Sequence, residues 1–452
     1  MREAQVNPSA IACFARHWDQ LASGTTGVIE EDSIWPVTNP IRFEELPTDS
    51  DRRAIASTVM IKLNGGLGTS MGLNQAKALL QVRSGLSFLD ISVRQVLAAR
   101  RQYDVRLPLV FMDSFNTRAD CLAALAAYPE LQVGDLPIDM TQSQEPKLLQ
   151  SDLRPVVWPF NPGLEWCPPG HGDLYPTLWD SGVLDDLIRA GFRYGYVSNC
   201  DNLGAAPSAV LANWFAHSGA GFAIEIAKRT AMDRKGGHVA IRKVDRRLIL
   251  RELAQTHHDE ITAFTDHPYF NCNNLWLDLD ALRTKLAETG GVLNLPLIRN
   301  LKTVDPIDSN SPGVIQIESA MGAAIEFFDD AVAIAVPRSR FLPVKNTSEL
   351  ALLRSDVFEF GTDYIPKAQV NPLPVVDLGQ AYSSITAFEE RIPYQLCLRE
   401  AQSFTVRGDW RFGHNVKIAG DVCLDPPGGT IPDNTVLRSG TVGEEIKPLR
   451  RT

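Results

Sequence analysis

The 452-residue sequence lacks two features that would tie it to a membrane or to nucleic acid. It contains no apolar run that approaches the ~18 residues needed to cross a bilayer. Its 44 lysines and arginines are outnumbered by 54 aspartates and glutamates, which leaves a formal net charge of −10. A protein with this balance has no basic field for a phosphate backbone. We therefore expect no membrane and no nucleic acid among its partners.

The cysteines are scattered along the chain, and no two of them have the spacing of a metal or redox pair. The seven cysteines are odd in number, and none belongs to a C-x-x-C motif. This pattern disfavours a disulfide framework and a structural zinc site. Residues 1–21 carry charged and amide side chains throughout and lack the apolar segment of a signal peptide. The sequence therefore indicates a cytoplasmic protein.

Helical and strand-like patterns alternate along most of the chain. Apolar residues at helical spacing predict an amphipathic helix over 8–22. The compact apolar run over 58–63, closed by Asn64 and two glycines, predicts a buried strand. We predict further strands at 107–112, 194–198, 221–226, 248–250 and 331–336, with helices that include 89–97, 184–190 and 210–217. This alternation is typical of an α/β domain with a largely parallel sheet.

The apolar residues of the last fifty positions have a different spacing. From about residue 404 the apolar residues recur at every sixth position, as in Val406, Phe412, Ile418 and Leu424. A six-residue period with intervening glycines and asparagines is typical of a small parallel β-helix. The alternative is a few irregular antiparallel strands, because Pro426–Gly429 interrupts the period.

A glycine-rich turn, LNGGLGTSMGLNQAK at 63–77, follows the first predicted strand. It matches neither G-x-G-x-x-G, because Met71 occupies the third glycine position, nor the P-loop, because Gly72 is followed by Leu-Asn. Glycines nevertheless let backbone N–H groups surround an anion, and Lys77 is placed to bring a positive charge to a phosphate. The alternative is a plain tight turn.

Two further loops carry groups that suit a phosphate ligand. His171 lies between glycines in PPGHGD, on a loop that we expect not to be helical, and this position favours an exposed donor over a packed ring. Asp201 follows the strand at 194–198, at the sheet edge where α/β proteins bind ligands. One carboxylate there suits Mg²⁺ that is held mainly by phosphates. The alternative for Asp201 is an Asx turn or a helix cap.

Two later segments complete the set of candidates. Asn271–Asn274 concentrates amides that can donate to and accept from sugar hydroxyls, and its alternative is a turn. The segment 337–345 gathers Arg338, Arg340 and Lys345 without an acidic neighbour. It is either a phosphate clamp or a solvated basic loop. Together, a glycine turn, several cations and one metal-binding Asp indicate phosphoryl or nucleotidyl transfer.

The motifs LNGGLGTSMG, PPGHGD, NCDNLGA, KGG (235–237), FNCNNLW, ESAMGAAIEFF and PRSRFLPVKNTSEL closely resemble those of the eukaryotic-type UTP–glucose-1-phosphate uridylyltransferases. The matches run in the same order from about residue 58 to 357. The resemblance implies a glycosyltransferase-A-like (Rossmann-like) nucleotidyltransferase domain with a mostly parallel mixed sheet, and a C-terminal left-handed parallel β-helix. It also implies the Mg²⁺-dependent, reversible conversion of UTP and glucose 1-phosphate to UDP-glucose and pyrophosphate.

On this resemblance we predict three segments: a helical and irregular N-terminus over 1–53, a catalytic domain over 54–385 and a β-helix domain over 386–452. The resemblance assigns Lys77 and Lys345 to catalysis and Asp201 to the metal. It assigns the nucleotide to Leu63, Asn64, Gly65, Gly66, Lys77, Gln142, Gly170, Asn199, Asp201 and Lys345. It assigns the sugar phosphate to His171, Gly237, Glu252, Asn273 and Phe341.

The sequence departs from the family pattern beside Lys77. Where the family has MGCKGPKS, this chain has MGLNQAKA, so Asn74, Ala76 and Ala78 replace a lysine, a proline and a serine. Thr141 also departs from the family's NQS segment around Gln142. Three alternatives stay open: an N-acetylhexosamine 1-phosphate or galactose 1-phosphate substrate, and a sugar-nucleotide-binding protein without catalysis. A homo-oligomer is compatible with the sequence, which leaves the oligomeric state open.

Overall fold

The computed structural model describes residues 1–48, 51–73, 75–229, 236–257 and 266–442. The chain divides into two compact units. The first unit comprises Met1–Gly65, Ala99–Asn199 and Pro207–Arg338, and the second comprises Gly66–Ala98, Cys200–Ala206 and Ser339–Thr452. The three-segment division at residues 53 and 385 stays a prediction.

The helices within the described ranges are short to medium in length, and none of them is long and apolar enough to cross a membrane. The predicted helix over 8–22 is confirmed, and Pro8 occupies its first turn, where its missing N–H costs nothing. The helices are α1 (Pro8–Ala22), α2 (Arg52–Ala56), α3 (Phe88–Tyr103), α4 (Arg118–Leu125), α5 (Leu174–Asp180), α6 (Val183–Arg189), α7 (Ala209–Ser218), α8 (Leu279–Glu288), α9 (Thr347–Arg354) and α10 (Ile385–Arg391).

The strands of the first half of the chain are β1 (Ile34–Pro36), β2 (Ile41–Arg42), β3 (Thr58–Asn64), β4 (Gln81–Arg83), β5 (Leu86–Ser87), β6 (Leu109–Asp113), β7 (Asp139–Thr141), β8 (Glu145–Pro146), β9 (Leu148–Leu149), β10 (Trp166–Cys167), β11 (Tyr194–Asn199) and β12 (Phe222–Lys228). Those of the second half are β13 (His238–Arg242), β14 (Leu248–Arg251), β15 (Tyr269–Asp278), β16 (Ile298–Thr303), β17 (Gly313–Glu318), β18 (Val332–Val336), β19 (Phe358–Phe360), β20 (Pro366–Ala368), β21 (Val375–Asp377), β22 (Cys397–Val406), β23 (Asp409–Phe412), β24 (Lys417–Leu424), β25 (Gly428–Ile431) and β26 (Val436–Val442).

The first unit is built on an eight-stranded sheet with the order β2-β18-β12-β15-β11-β3-β6-β7. Only β15 runs antiparallel to its neighbours, β12 and β11, and the other pairs are parallel. The predicted α/β fold with a largely parallel sheet is confirmed. Strands β3 and β6 are buried along nearly their whole length, because helices and loops cover the sheet. A parallel sheet of this kind brings the carboxyl ends of several strands to one edge.

Strand β15 contains Asn271–Asn274, the amide-rich segment for which the sequence left a turn open as the alternative. The pairing of β15 with β12 changes register, so that Glu225 pairs with Asn274 and Ile226 pairs with Asn271. The residues between them form a bulge, and Asn273 adopts a left-handed backbone with φ of 56°. The turn interpretation of this segment is therefore wrong, because the amides lie on a bulged central strand.

The second unit contains the C-terminal strands, which pair in parallel. One sheet has the order β21-β22-β24-β26, and β23 pairs with β25. Phe404 lies beside Val422, and Phe412 beside Ile431, so equivalent apolar positions of successive repeats stack. The alternative of irregular antiparallel strands for this tail is wrong.

Candidate functional site

The carboxyl ends of β3 and β11 bring three predicted residues of the first unit to one edge of the sheet. Leu63 is the register partner of Asn199, and Asn64 is the partner of Asp113. The side-chain amide of Asn64 donates to Asp113 Oδ1 over 2.7 Å. Burial raises the pKa of Asp113 to about 7, although the hydrogen bond from Asn64 opposes this rise. The side chain of Asn64 is thereby fixed at the carboxyl end of β3.

The bulge in β15 brings a predicted hexose residue to the same edge. The Asn273 side-chain amide donates to Asn199 Oδ1 over 2.9 Å, and its backbone N–H donates to Asn271 Oδ1 over 2.7 Å. Asn273 Oδ1 is buried and has no hydrogen-bond partner among the described residues. The site therefore keeps one carbonyl oxygen that can accept a hydrogen bond from a ligand hydroxyl.

Gly237 and Glu252, two further predicted hexose residues, are neighbours. A Cβ atom on Gly237 would lie 2.6 Å from Glu252 Oε2, so the carboxylate occupies the space that glycine leaves open. Glu252 caps a short 3₁₀ helix and exchanges hydrogen bonds with Gln255. The Gly237 carbonyl also accepts the N–H of Asn271 over 2.8 Å, which joins this pair to the bulge.

Gln142 lies directly against the first glycine of the turn. Its side chain is only 7% exposed, and its Oε1 atom fills the position that a Cβ atom on Gly65 would take. Its backbone N–H donates to the Asp113 carbonyl over 2.8 Å, and Ser114 Oγ donates to the Gly65 carbonyl over 2.9 Å. A side chain on residue 65 would therefore displace the glutamine that the resemblance assigns to uracil.

The loop with Gly170 and His171 differs from its prediction. His171 starts a one-turn 3₁₀ helix, and its ring is partly buried, so the expectation of an exposed donor on a non-helical loop is wrong. Its Nδ1 atom accepts the N–H of Met321 over 2.9 Å, and burial lowers the pKa of His171 to about 4. The imidazole is consequently neutral, with its proton on Nε2. Gly170 has φ of 79°, and a Cβ atom there would lie 2.8 Å from the Ser319 carbonyl oxygen.

The second unit holds the predicted metal ligand and one predicted catalytic lysine in contact. Lys77 Nζ forms an ion pair with Asp201 Oδ2, and these side chains are 19% and 16% exposed. The Lys77 N–H also donates to the Gly66 carbonyl over 3.0 Å, and its side chain packs against Gly68, which has φ of 63°. Lys77, Asp201 and Gly66 therefore form one cluster.

Lys345 is exposed and precedes α9, whose N-cap is Asn346. Its backbone N–H donates to Glu349 Oε2, and Asn346 and Glu349 form a capping box. Burial raises the pKa of Glu349, while hydrogen bonds from the Lys345 and Asn346 backbones and the charges of Lys345 and Lys77 oppose the rise. A lysine before a helix N-terminus opposes the helix dipole, so Glu349 offsets an unfavourable charge.

The remaining cations of the basic segment do not form an exposed loop. Arg340 is 8% exposed, and its guanidinium donates to the Ala206 carbonyl over 3.2 Å. Arg338 stacks over the ring of Phe270 at 5.1 Å. The solvated-loop interpretation is therefore wrong for Arg340, and its contact with a backbone carbonyl does not support a phosphate clamp there. Phe341, assigned to the hexose, is 9% exposed.

The replacements beside Lys77 lie partly in the core. Ala76 and Ala78 are buried, at 0% and 2% exposure, and Asn74 lies outside the described residues. The described residues include all seven cysteines and contain no disulfide bond, nor do they contain a cluster of three His, Cys, Asp or Glu side chains that could hold a metal.

Several residues that support the site escaped the sequence prediction. Asp113, Asp173, Tyr175 and Met321 contact predicted residues or their neighbours, and all four are buried. Asp173 ends the PPGHGD motif and Met321 belongs to ESAMG, so proximity to a recognised motif was the only available signal.

Known proteins resemble the chain over nearly its whole length. The family model described as UTP–glucose-1-phosphate uridylyltransferase matches residues 11–419. A relative of that name from Saccharomyces cerevisiae is 36% identical over 95% of this chain and 88% of its own length, and one from Solanum tuberosum is 35% identical over 93% and 87%.

Solved structures resemble it equally well. A UDP-glucose pyrophosphorylase mutant from Leishmania major in complex with UDP-glucose is 39% identical, with a TM-score of 0.93 over 98% of this chain and 97% of that one. A structure from Trypanosoma brucei, described as a UDP-glucose phosphorylase, is 38% identical, with a TM-score of 0.93 over 98% of each chain.

Proposed function

Because the chain belongs to the UTP–glucose-1-phosphate uridylyltransferase family, we propose that it converts UTP and glucose 1-phosphate reversibly to UDP-glucose and pyrophosphate. The observation that carries this proposal is the group formed by Leu63, Asn199 and Asn273 at one sheet edge. Residues assigned to the nucleotide and to the hexose are neighbours there. The Asn273 Oδ1 atom, which has no hydrogen-bond partner among the described residues, suits a sugar hydroxyl, because hydroxyl groups need acceptors as well as donors.

The proposed reaction is a direct displacement at phosphorus. A phosphate oxygen of glucose 1-phosphate attacks the α-phosphorus of UTP and forms a new P–O bond. The bond to the oxygen that bridges the α- and β-phosphorus atoms breaks, and that oxygen leaves with pyrophosphate. The attacking phosphate is already a competent nucleophile, so no side chain has to form a covalent intermediate. Catalysis then rests on positioning and on neutralisation of charge.

The lysines of the second unit supply that neutralisation in this proposal. Lys77 orients the triphosphate, and Lys345 stabilises charge on the α-phosphate and the leaving group. The place of Lys345 in the sequence supports a functional role, because a cation before the N-terminus of α9 lowers helix stability. A residue that violates a local rule of helix stability is a candidate for function.

The first unit supplies the groups that orient the substrates. Gln142, beside Gly65, is assigned to the uracil and Gly170 to UTP. The neutral His171 donates from Nε2 to the sugar phosphate, since its Nδ1 accepts the Met321 N–H. Neutral imidazole suits this role because it donates without a change of protonation at neutral pH.

We propose Asp201 as the residue that holds Mg²⁺. The donor set fits this ion, because Mg²⁺ commonly binds to one or two carboxylates and completes its coordination with phosphates and water. Asp201 offers one partly exposed carboxylate and contacts a lysine assigned to the triphosphate. When bound, Mg²⁺ would neutralise phosphate charge. Lys77 can hold the carboxylate in place.

We propose the finer fold assignments on the same family basis. The sheet of the first unit suits the glycosyltransferase-A type, and the parallel pairing in the tail is compatible with a left-handed parallel β-helix. The cytoplasmic location stays a prediction from the sequence.

One experiment tests the function. Purified protein is incubated with UTP, Mg²⁺ and either glucose, galactose or N-acetylhexosamine 1-phosphate, and released pyrophosphate is measured. We expect the highest kcat/KM with glucose 1-phosphate. A higher value with another sugar would contradict the substrate assignment, and no release with any sugar, together with UTP binding, would indicate a binding protein.

A further inference from the structure

The carboxylate of Asp173 connects two segments that the proposed function assigns to different substrates. It ends the 3₁₀ turn that starts at His171, and it is 4% exposed. Its Oδ2 atom accepts the backbone N–H of Ser143 over 2.6 Å and the hydroxyl of Thr177 over 2.9 Å. One carboxylate oxygen therefore serves a donor within its own helical segment and a donor thirty residues away in the chain.

The distant donor belongs to the segment assigned to UTP. Ser143 directly follows Gln142, whose Oε1 lies against Gly65. The Gln142 N–H is fixed by the Asp113 carbonyl, so the hydrogen bond to Asp173 fixes the next peptide group along. Together these two bonds set the position of the glutamine beside Gly65.

The 3₁₀ turn that ends at Asp173 also carries the residue that is assigned to the sugar phosphate. His171 lies two residues before Asp173 in the same turn, and its ring is oriented by the Met321 N–H. The Gly172 N–H donates to the Ser319 carbonyl over 2.8 Å. The turn therefore cannot shift without breaking bonds on both sides.

We propose that Asp173 is a positioning residue, whose carboxylate holds the Gln142 segment and the His171 turn at the spacing that in-line attack requires. This inference rests on the proposed function. Reacting groups must be held close to their productive geometry, because a misplacement of about 1 Å can cost ~100-fold in rate.

The environment of Asp173 indicates that its charge reduces the stability of the fold. Burial raises the pKa of Asp173 to about 7 from its ordinary value of 3.8, against the hydrogen bonds from Ser143 and Thr177. The folded state therefore favours the protonated form, and the contribution of Asp173 to stability falls as the pH rises from about 4 to 7. The titratable groups that face it are Glu145 on β8, Cys13 and His17 on α1, and Tyr175 and Asp180 on α5.

The test compares three variants with the wild type by steady-state kinetics between pH 6 and pH 8. Asp173→Ala removes the link. Asp173→Asn keeps an acceptor of the same shape but cannot ionise. Thr177→Val is the matched control, because it removes the other hydrogen bond to the same carboxylate and leaves the Ser143 bond intact.

We expect Asp173→Ala to raise KM for both substrates about tenfold and to lower kcat, since a lost charged hydrogen bond has an effect of this size. For Asp173→Asn we expect the ratio of its KM for UTP to the wild-type value to be about 3 at pH 8 and about 1 at pH 6, because charged hydrogen bonds are stronger than neutral ones. For Thr177→Val the ratio of its KM for UTP to the wild-type value should stay near 1 between pH 6 and pH 8. Asp173→Asn should also raise Tm at pH 8.

Two results would overturn the inference. One is that Asp173→Ala and Asp173→Asn both have KM values within twofold of the wild-type values for both substrates. The other is a lower Tm in Asp173→Asn with a KM ratio that does not change with pH, which would indicate a structural role alone. If the wild type releases no pyrophosphate, the proposed function fails instead. The two failures are therefore distinguishable.

Discussion

Tyr175→Phe provides a sharp test of how the sugar-phosphate residue is held. The Tyr175 side chain is fully buried, and its hydroxyl donates to the Met321 carbonyl over 2.6 Å. Met321 in turn donates its N–H to His171 Nδ1. Removal of one oxygen atom therefore frees the residue that sets the tautomer and the orientation of the imidazole, without a change at His171 itself.

The magnitude follows from the bonds involved. Loss of the hydroxyl leaves a buried carbonyl without its partner, which lowers the free energy of unfolding by ~1–3 kcal/mol. Complete loss of a hydrogen bond to a charged phosphate would raise KM about 10- to 100-fold. Because Tyr175→Phe only loosens the ring, we expect KM for glucose 1-phosphate to rise about 3- to 10-fold. We expect KM for UTP to change less than twofold.

The assay is pyrophosphate release at varied glucose 1-phosphate, with urea unfolding in parallel. Tyr382→Phe is the matched control, because Tyr382 is equally buried and its hydroxyl donates to the Trp410 carbonyl over 2.5 Å. Both variants should lose similar stability, but only Tyr175→Phe should change KM. Equal kinetic effects in the two variants would refute the link between Tyr175 and His171.

Three further predictions concern charge. Lys345→Ala should lower kcat ~100-fold or more with an equal or slightly higher Tm, since the side chain is exposed and its charge opposes the dipole of α9, and near-normal turnover would exclude its assigned role. Asp201→Asn should abolish the response of pyrophosphate release to added Mg²⁺, and an unaltered Mg²⁺ titration would refute the metal assignment. Burial lowers the pKa of His17 to about 4 from 6.5, so the contribution of His17 to the stability of the folded state falls by ~3 kcal/mol as the pH falls from 6.5 to 4. His17→Gln lacks this contribution, so urea unfolding should show a smaller loss over that range, and an equal loss would contradict the assignment.

The sequence predicted the elements whose signal is local. An apolar run closed by glycines identified β3, and its parallel neighbours followed from the same kind of pattern. Strand β15 escaped because its central residues are polar. The buried carboxylate of Glu225 accepts hydrogen bonds from Asn274 and from Trp276 Nε1, at 2.9 and 3.1 Å, and this pairing compensates the polar side chains. The partners are about fifty residues apart, so no local pattern indicates them.

Contacts between residues that lie far apart in the sequence also explain the errors at the site. His171 was expected to be exposed because its neighbours are glycines, but residues 319–321 cover it from a distant part of the chain. The sequence leaves Arg340 open as part of a phosphate clamp or of a solvated loop, but the segment that follows β11 supplies a carbonyl that it contacts. The lysines and Asp201 were selected by residue type and by resemblance, and their roles remain predictions. Burial depends on partners that only the fold brings near.

The left-handed bulge at Asn273 has a consequence for mutagenesis. Asparagine tolerates this backbone better than most residues with a side chain, and glycine tolerates it best. An alanine at this position would both strain the main chain and delete the amide, so an alanine scan would confuse a distorted strand with a lost sugar contact. Asn273→Gly separates the two, because it relaxes the backbone and removes the side chain alone. Libraries that aim to alter sugar preference should therefore vary the surroundings of this position before the position itself.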